Sequence, residues 1–414
     1  MVLVMIIAVF WFFHSAPPST ITITAGPEGS IFRTNAEKYA AILARNGVKL
    51  KILSSEGSLE NLKRLADPSF KVDVGFVQGG LTNNIKIDKL VSLGSVYYSP
   101  LLLFYLGNER VDILSRLDGK RIAIGAVGSG TRALALVLFA ENGIEPAGRT
   151  TLLDLDGEDA AKALIEGKID ATFMMGESAS VQNLRKLLHA PGIRLFDFTQ
   201  ADAYTRRITY LNRMELPEGS IDFGKNIPDH DIHLIGPAVE LIARAGLHPA
   251  LSDLLLDAAR EVHGTASLLR QQGEFPALLQ HEFRISSDAI SYYKSGKSFL
   301  YRYFPFWIAN LLNRIIIVAL PIVIVLIPGL QIIPACYRWR IMMRFYHCYR
   351  QLLAIEKDME TDLSPEKREE ILLRVNDVEK EVNKMKVPAY FADQFYALRA
   401  HVSFVHNQLA DDRK

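Results

Sequence analysis

Cysteine is nearly absent from this sequence: there are two, Cys336 and Cys348, both in the last fifth of the chain. Residues 1–335 therefore offer no disulfide among themselves and no thiolate metal site. Charge is also undifferentiated, with 47 basic and 46 acidic residues leaving a formal net charge of +1. That balance argues against a nucleic-acid partner, which normally leaves a basic stripe. The histidines lack metal-ligand spacing; His230 and His233 are three apart, which suits surface chemistry better than a ligand set. No nucleophile–histidine–carboxylate grouping stands out. No metal, no cofactor and no catalytic residue are expected.

What is present is size and apolar content. At 414 residues, 49% of them hydrophobic and 22% charged, the chain is long enough for two to three packed units with membrane content added. Val2 to Phe13 is apolar and short, followed by the small pair Ser15-Ala16, so residues 1–19 read as a signal anchor or signal sequence. Ile315 to Ile333 is a 19-residue run without a charge, near the length needed to span hydrocarbon. Tyr303 and Trp307 precede it, and Tyr337 and Trp339 follow it, as an aromatic belt would. Pro321 and Pro328 inside it are tolerated in spanning helices. A transmembrane helix is therefore expected over residues 306–334. Arg338, Arg340, Arg344 and Arg350 crowd its C-terminal flank, against Arg302 and Arg314 before it. The positive-inside rule puts residues 335–414 in the cytoplasm and residues 20–300 outside.

The outer region carries the same design twice. At a constant offset of 99, Gly26 meets Gly125, Gly29 meets Gly128, Ser30 meets Ser129 and Arg33 meets Arg132. Each stretch reads as a β-run, a glycine turn and an amphipathic helix. Glu56-Gly57-Ser58 and Asp156-Gly157-Glu158 then open second helices, which lead to the strands at Val72–Gly79 and Ile169–Gly176. The pattern predicts two βαβ-containing lobes, each with a parallel sheet. Ligands collect at the C-terminal ends of such strands, where helix N-termini expose free N–H groups. Two facing lobes of this kind suit capture of a small anion by hinge closure.

These blocks resemble the TAXI family, solute receptors of one class of TRAP transporters. The family's first glycine-rich loop corresponds to Ala25-Gly26-Pro27-Glu28-Gly29-Ser30-Ile31-Phe32, and its next block to Ser55-Glu56-Gly57-Ser58-Leu59-Glu60-Asn61-Leu62. Val77-Gln78, the stretch Leu117 to Arg132, and Asp170-Ala171-Thr172-Phe173 match in turn, over roughly residues 20–285. The resemblance implies an α/β, two-lobed periplasmic-binding-protein-like fold of type II with parallel or mixed sheets. Lobe 1 would comprise about residues 20–100 and 225–300, and lobe 2 about 101–224. It also implies capture of an amino acid or carboxylate, and TRAP permease subunits as partners. Pro27 and Glu28 depart from the family's small polar residues, which leaves the ligand's identity open.

Candidate ligand contacts follow from the repeat. In the second lobe Gly128, Ser129, Gly130, Thr131 and Arg132 form the sharpest candidate: a capping hydroxyl, close backbone approach and a cation for a carboxylate. The first-lobe counterparts are Glu28, Gly29, Ser30, Phe32 and Arg33, with Glu28 suited to a ligand ammonium and Phe32 to covering a ligand or filling the core. Gln78 and Gly79 end a strand at the expected cleft edge, and Met175 and Glu177 occupy the matching place in the second lobe. A competing enzyme reading takes Gly128-x-Gly130-x-x-Ala133 as a permissive dinucleotide fingerprint with Asp154 or Asp156 on a ribose. The first-lobe copy lacks that spacing, which weighs against it.

The tail from residue 335 to 414 reads as helical. Ser364-Pro365-Glu366 is a helix start, and Ile371, Val375, Val378, Val382 and Met385 recur at spacings of four and three. Leu398, Val402, Val405 and Leu409 repeat the pattern after Pro388. A self-contained bundle or self-association through these helices is expected. The expected function is an extracytoplasmic solute receptor at the bacterial inner membrane. The alternative is a membrane-anchored sensor or scaffold that signals through the helical tail.

Overall fold

Strand β1 (Thr20–Thr24), of sequence TITIT, buries Ile21 and Ile23 and starts an α/β alternation. A computed structural model of the chain describes residues 17–145, 148–177, 179–279, 282–296, 300, 303–304, 306–359 and 364–411. The expected anchor at Val2 to Phe13 and the Ser15-Ala16 pair lie outside the described residues, as does Arg302. The chain divides into two units, Met1–Ile315 and Ile316–Lys414.

In the first unit β1 is followed by α1 (Ile31–Ala44), β2 (Lys49–Leu53), α2 (Ser58–Ala66), β3 (Val74–Gln78), β4 (Leu90–Tyr98) and β5 (Leu102–Leu106). Then come β6 (Arg121–Ala123), α3 (Gly130–Glu141), β7 (Thr151–Leu153), α4 (Gly157–Ile165), β8 (Ala171–Met174), α5 (Val181–His189) and β9 (Ile193–Leu195). The unit closes with α6 (Ala201–Arg207), β10 (Leu211–Leu216), β11 (Ile232–Arg244), α7 (Pro249–His263) and α8 (Ser287–Ser295).

The strands form two sheets of one design. In the first, β1 lies parallel to β2 and β3, and β11 runs antiparallel to both β3 and β4. In the second, β6 lies parallel to β7 and β8, and β5 runs antiparallel to both β8 and β9. Each sheet is thus mixed rather than purely parallel. The antiparallel strand lies outside the parallel trio in sequence, β11 after it in the first sheet and β5 before it in the second, where a repeat confined to the βαβ units carries no signal for it. This is an α/β periplasmic-binding-protein-like fold.

The chain passes between the sheets at Ser99-Pro100, between β4 and β5, and again between β9 and β10. The first half of β11 pairs with β10 and its second half with β3 and β4. The first lobe is built on β1 to β4, with Phe32, Tyr39, Phe76, Leu241 and Leu255 in one continuous core. The second is built on β5 to β9, with Phe139, Phe173, Phe196 and Phe198 in its own. Strand β3 is buried along its whole length, as expected of a strand covered on both faces.

The two helices at the 99-residue offset begin identically. Ser30 caps α1 by accepting from the Arg33 N–H, and Ser129 caps α3 by accepting from the Arg132 N–H, each at 3.1 Å. Each such cap contributes about 1 kcal/mol and fixes where its helix starts.

The second unit takes in most of α9 (Phe306–Met359), together with α10 (Pro365–Lys384) and α11 (Ala392–Asp411). Phe345, Cys348, Leu352 and Ile355 of α9 pack with Val375, Val378 and Val382 of α10 and Leu398, Val402 and Val405 of α11. The membrane-spanning helix expected over residues 306–334 is not found: among the described residues no helix is long and apolar enough to cross a membrane. Helix α9 does run through this segment, where Leu320, Val323, Ile324, Ile327 and Leu330 are exposed. The side chains of Trp307, Arg314 and Pro321 lie outside the described residues.

Candidate functional site

Three helix starts and two strand ends meet where the two lobes face each other. At their centre is Glu177, just past β8, whose side chain is completely buried. A buried carboxylate is costly unless its oxygens are satisfied, and these are satisfied from both lobes. Its Oε2 accepts the backbone N–H of Ser58, the first residue of α2, at 2.7 Å. Its Oε1 accepts the Thr131 hydroxyl at 2.8 Å and the Thr131 backbone N–H, in the first turn of α3. Both helix N-termini direct unpaired N–H groups and the positive ends of their dipoles at one carboxylate.

The surrounding backbone packs tightly enough to require glycine. A Cβ on Gly26 would stand 2.0 Å from the Glu177 carbonyl oxygen, and one on Gly57 would stand 2.7 Å from Glu177 Oε2. A Cβ on Gly130 would fall 2.3 Å from Gln78 Cδ, so the Gln78 amide lies flat against the start of α3. Two further hydrogen bonds cross the lobes: Phe32 N–H to the Gly176 carbonyl at 3.3 Å, and Glu60 N–H to the Gly128 carbonyl at 3.0 Å. Gln78 is 2% exposed, and its Oε1 has no hydrogen-bond partner.

Beside this contact a cavity of about 380 Å³ opens, lined by Glu28, Glu56, Asp156, Glu158 and Lys186 among others. Tyr97, near the end of β4, is half-buried with its ring stacked on His263 at 5.2 Å. Desolvation raises the Tyr97 phenol pKa, the neighbouring Asn35 side chain offsets part of this, and the Glu177 charge adds to the rise. Among the described residues no group of three or more metal-ligating side chains is found.

Residues 23–252, more than half of the chain, match the model of the NMT1-like family. The chain belongs to the NMT1-like family. No curated protein matches it significantly. Among solved structures it is similar to an ancestral arginine-binding protein bound to arginine (14% identity, 59% of this chain and 92% of that one, TM-score 0.39). It is also similar to the periplasmic aliphatic sulphonate binding protein SsuA from Escherichia coli (17% identity, 60% and 73%, TM-score 0.36). A third likeness is to the effector binding domain of QuiR in complex with shikimate (11% identity, 59% and 96%, TM-score 0.38).

In this NMT1-like chain the candidate contacts separate into three groups. Glu177, Thr131, Gly130 and Gln78 converge, and Gly128 and Ser129 hold the turn that aims α3 at them. Glu28 and Gly29 reach the neighbouring cavity instead. The remainder serve the scaffold. Phe32 is fully buried, its ring 5.6 Å from Phe76 and 6.5 Å from Tyr97, so it fills the core and covers no cleft. Met175 is likewise wholly buried, in the second lobe's core. Ser30 caps its helix, and Gly79 donates to the Ala238 carbonyl at 3.1 Å.

The two arginines turn to partners in their own lobes. Arg33 pairs with Glu37 at 2.8 Å and donates to Ser54 at 3.2 Å. Arg132 pairs with Asp154, one of the two acids that a dinucleotide fingerprint would have placed on a ribose. The helix start that would hold a pyrophosphate in that reading carries the Glu177 carboxylate. Sequence reasoning missed Ser58 as a donor. The signal was there: Glu56-Gly57-Ser58 opens a helix after a glycine turn, and the free N–H groups of a helix start favour an anion.

Proposed function

We propose that this protein is a solute receptor whose two lobes close on a small ligand bearing a carboxylate or similar anionic group. One observation carries the reading: an N-terminus from each lobe, at Ser58 and at Thr131, supplies donors to a single carboxylate. An interlobe seat for an anion is the part such a receptor needs. The acidic mouth beside it, with Glu28, Glu56 and Glu158, favours a ligand that also carries an ammonium, which makes an amino acid the first class to test. Binding and release require no catalysis.

The finer reading is a TAXI-type receptor that delivers its solute to TRAP permease subunits from the outer face of a bacterial inner membrane. Its support is the set of sequence blocks between Ala25 and Phe173.

A thermal-shift screen of the full chain against amino acids, dicarboxylates, sulfonates and keto acids tests the receptor reading. Binding to the folded state raises the midpoint by mass action, by about 2.7 kcal/mol of stability at a hundred times Kd. No shift with any small anion would defeat the proposal. The second reading is a sensor or scaffold, favoured by the separate core that α9, α10 and α11 build around Val375 and Leu398. It predicts a partner that binds through residues 341–414, and solute-dependent recovery of that partner with the full chain.

A further inference from the structure

The interlobe anion seat is filled by the protein's own side chain. Glu177 belongs to the second lobe, yet its Oε2 takes the free N–H of Ser58 in the first, and no part of its side chain reaches solvent. A solute carboxylate approaching the same two helix starts would need the positions that Oε1 and Oε2 hold. Next to them, the buried Gln78 Oε1 lies against Gly130 without a donor, so the seat has one acceptor that Glu177 leaves unused.

We propose that Glu177 is a tethered internal ligand: it closes the lobes in the absence of solute, and an incoming carboxylate must displace it from the Ser58 and Thr131 donors. This rests on the receptor reading and deepens it. The physical basis is effective concentration. A carboxylate held within the same chain competes as though present at millimolar concentration or more, so a weakly binding monocarboxylate cannot enter. A solute able to do so must add contacts that Glu177 lacks, such as a donor to Gln78 Oε1 or an ammonium at the Glu28 and Glu56 mouth. The internal ligand thereby acts as a specificity filter.

The experiment uses the full chain, its Glu177→Ala and Glu177→Gln variants, and acetate as the probe. The readout is amide hydrogen exchange in segments covering residues 57–62 and 129–133. In the unaltered protein these amides should exchange slowly and ignore acetate. In Glu177→Ala they should exchange at least about tenfold faster, equivalent to about 1.4 kcal/mol, and acetate should restore their protection. Glu177→Gln, which keeps the shape of the side chain and fills the seat with an amide, should exchange faster and show no rescue by acetate. The proposal is overturned if Glu177→Ala stays protected without acetate, or if acetate protects all three proteins alike.

The receptor reading fails separately. Rescue of Glu177→Ala by acetate, with no solute shifting the unaltered protein, would leave the internal ligand standing and remove the receptor. A solute that shifts the unaltered protein, with no acetate effect on Glu177→Ala, would do the reverse.

Discussion

The Ser58 amide in the first lobe donates to the Glu177 carboxylate of the second at 2.7 Å, across 119 residues of sequence. It joins two helix dipoles through one charge. Neither lobe alone can satisfy that carboxylate fully, because Thr131 supplies Oε1 and Ser58 supplies Oε2. The Glu177 carboxylate is therefore fully satisfied only where the two lobes meet.

Gly57 should be intolerant of any side chain. Its φ is +134°, and an added Cβ would meet Glu177 Oε2 at 2.7 Å. Gly57→Ala is expected to cost about 1–3 kcal/mol from backbone strain, before any loss of the carboxylate contact. Gly143→Ala is the control: its φ is +69°, with nothing within 4 Å of the new Cβ, so it carries strain alone. Urea denaturation of both variants checks this, and equal losses would show that the Glu177 contact contributes nothing.

Phe32→Ala should cost about 3–5 kcal/mol, the usual range for emptying a buried aromatic site. Its ring lies between Phe76 and Tyr97 and is wholly buried. Solute affinity of the variant, measured while it is still folded, should change far less than its denaturation midpoint. A selective loss of affinity at unchanged stability would return Phe32 to the cleft.

Acid should destabilise the first lobe through His263. Burial, with smaller contributions from Arg270 and Lys38, depresses its pKa from 6.5 to about 3. The folded protein therefore keeps it neutral while the unfolded chain binds a proton below 6.5. Unfolding takes up a proton between about pH 6.5 and about pH 3, so stability falls as pH drops through that window. By pH 5 the loss from this residue is about 2 kcal/mol. His263→Phe, which has no proton to take up, should flatten this part of the stability curve; an unchanged slope would mean the imidazole is not desolvated.

The helical tail should respond to mutation independently. Val375 is fully buried among α9, α10 and α11, so Val375→Asp puts a carboxylate into an apolar core at a cost of several kcal/mol. Hydrogen exchange should rise across residues 364–411 and stay unchanged at 57–62. Faster exchange in both regions would mean the units do not unfold separately.

Much of the scaffold could be read from single segments. Ser30 and Ser129 announce helix starts because a cap is made with the backbone three residues on, and glycine turns depend on their own φ. The 99-residue repeat predicted two βαβ lobes for the same reason. The antiparallel insertions β5 and β11 were not legible: each owes its place to pairing with strands distant in sequence. Phe32 was ambiguous for a similar reason, since its burial is decided by Phe76 and Tyr97 and not by its neighbours in the chain.

The seat itself divides along the same line. Sequence alone determined that Gly128 to Arg132 would present a helix N-terminus, because capping and turn geometry act over a few residues. Only the tertiary structure decided what that N-terminus holds. Arg33 and Arg132 found acids in their own lobes, Glu37 and Asp154, and left the anion-facing role to backbone N–H groups and the Thr131 hydroxyl. A carboxylate and a donor 119 residues apart meet only when both lobes are folded and closed, and burial then makes their pairing obligatory.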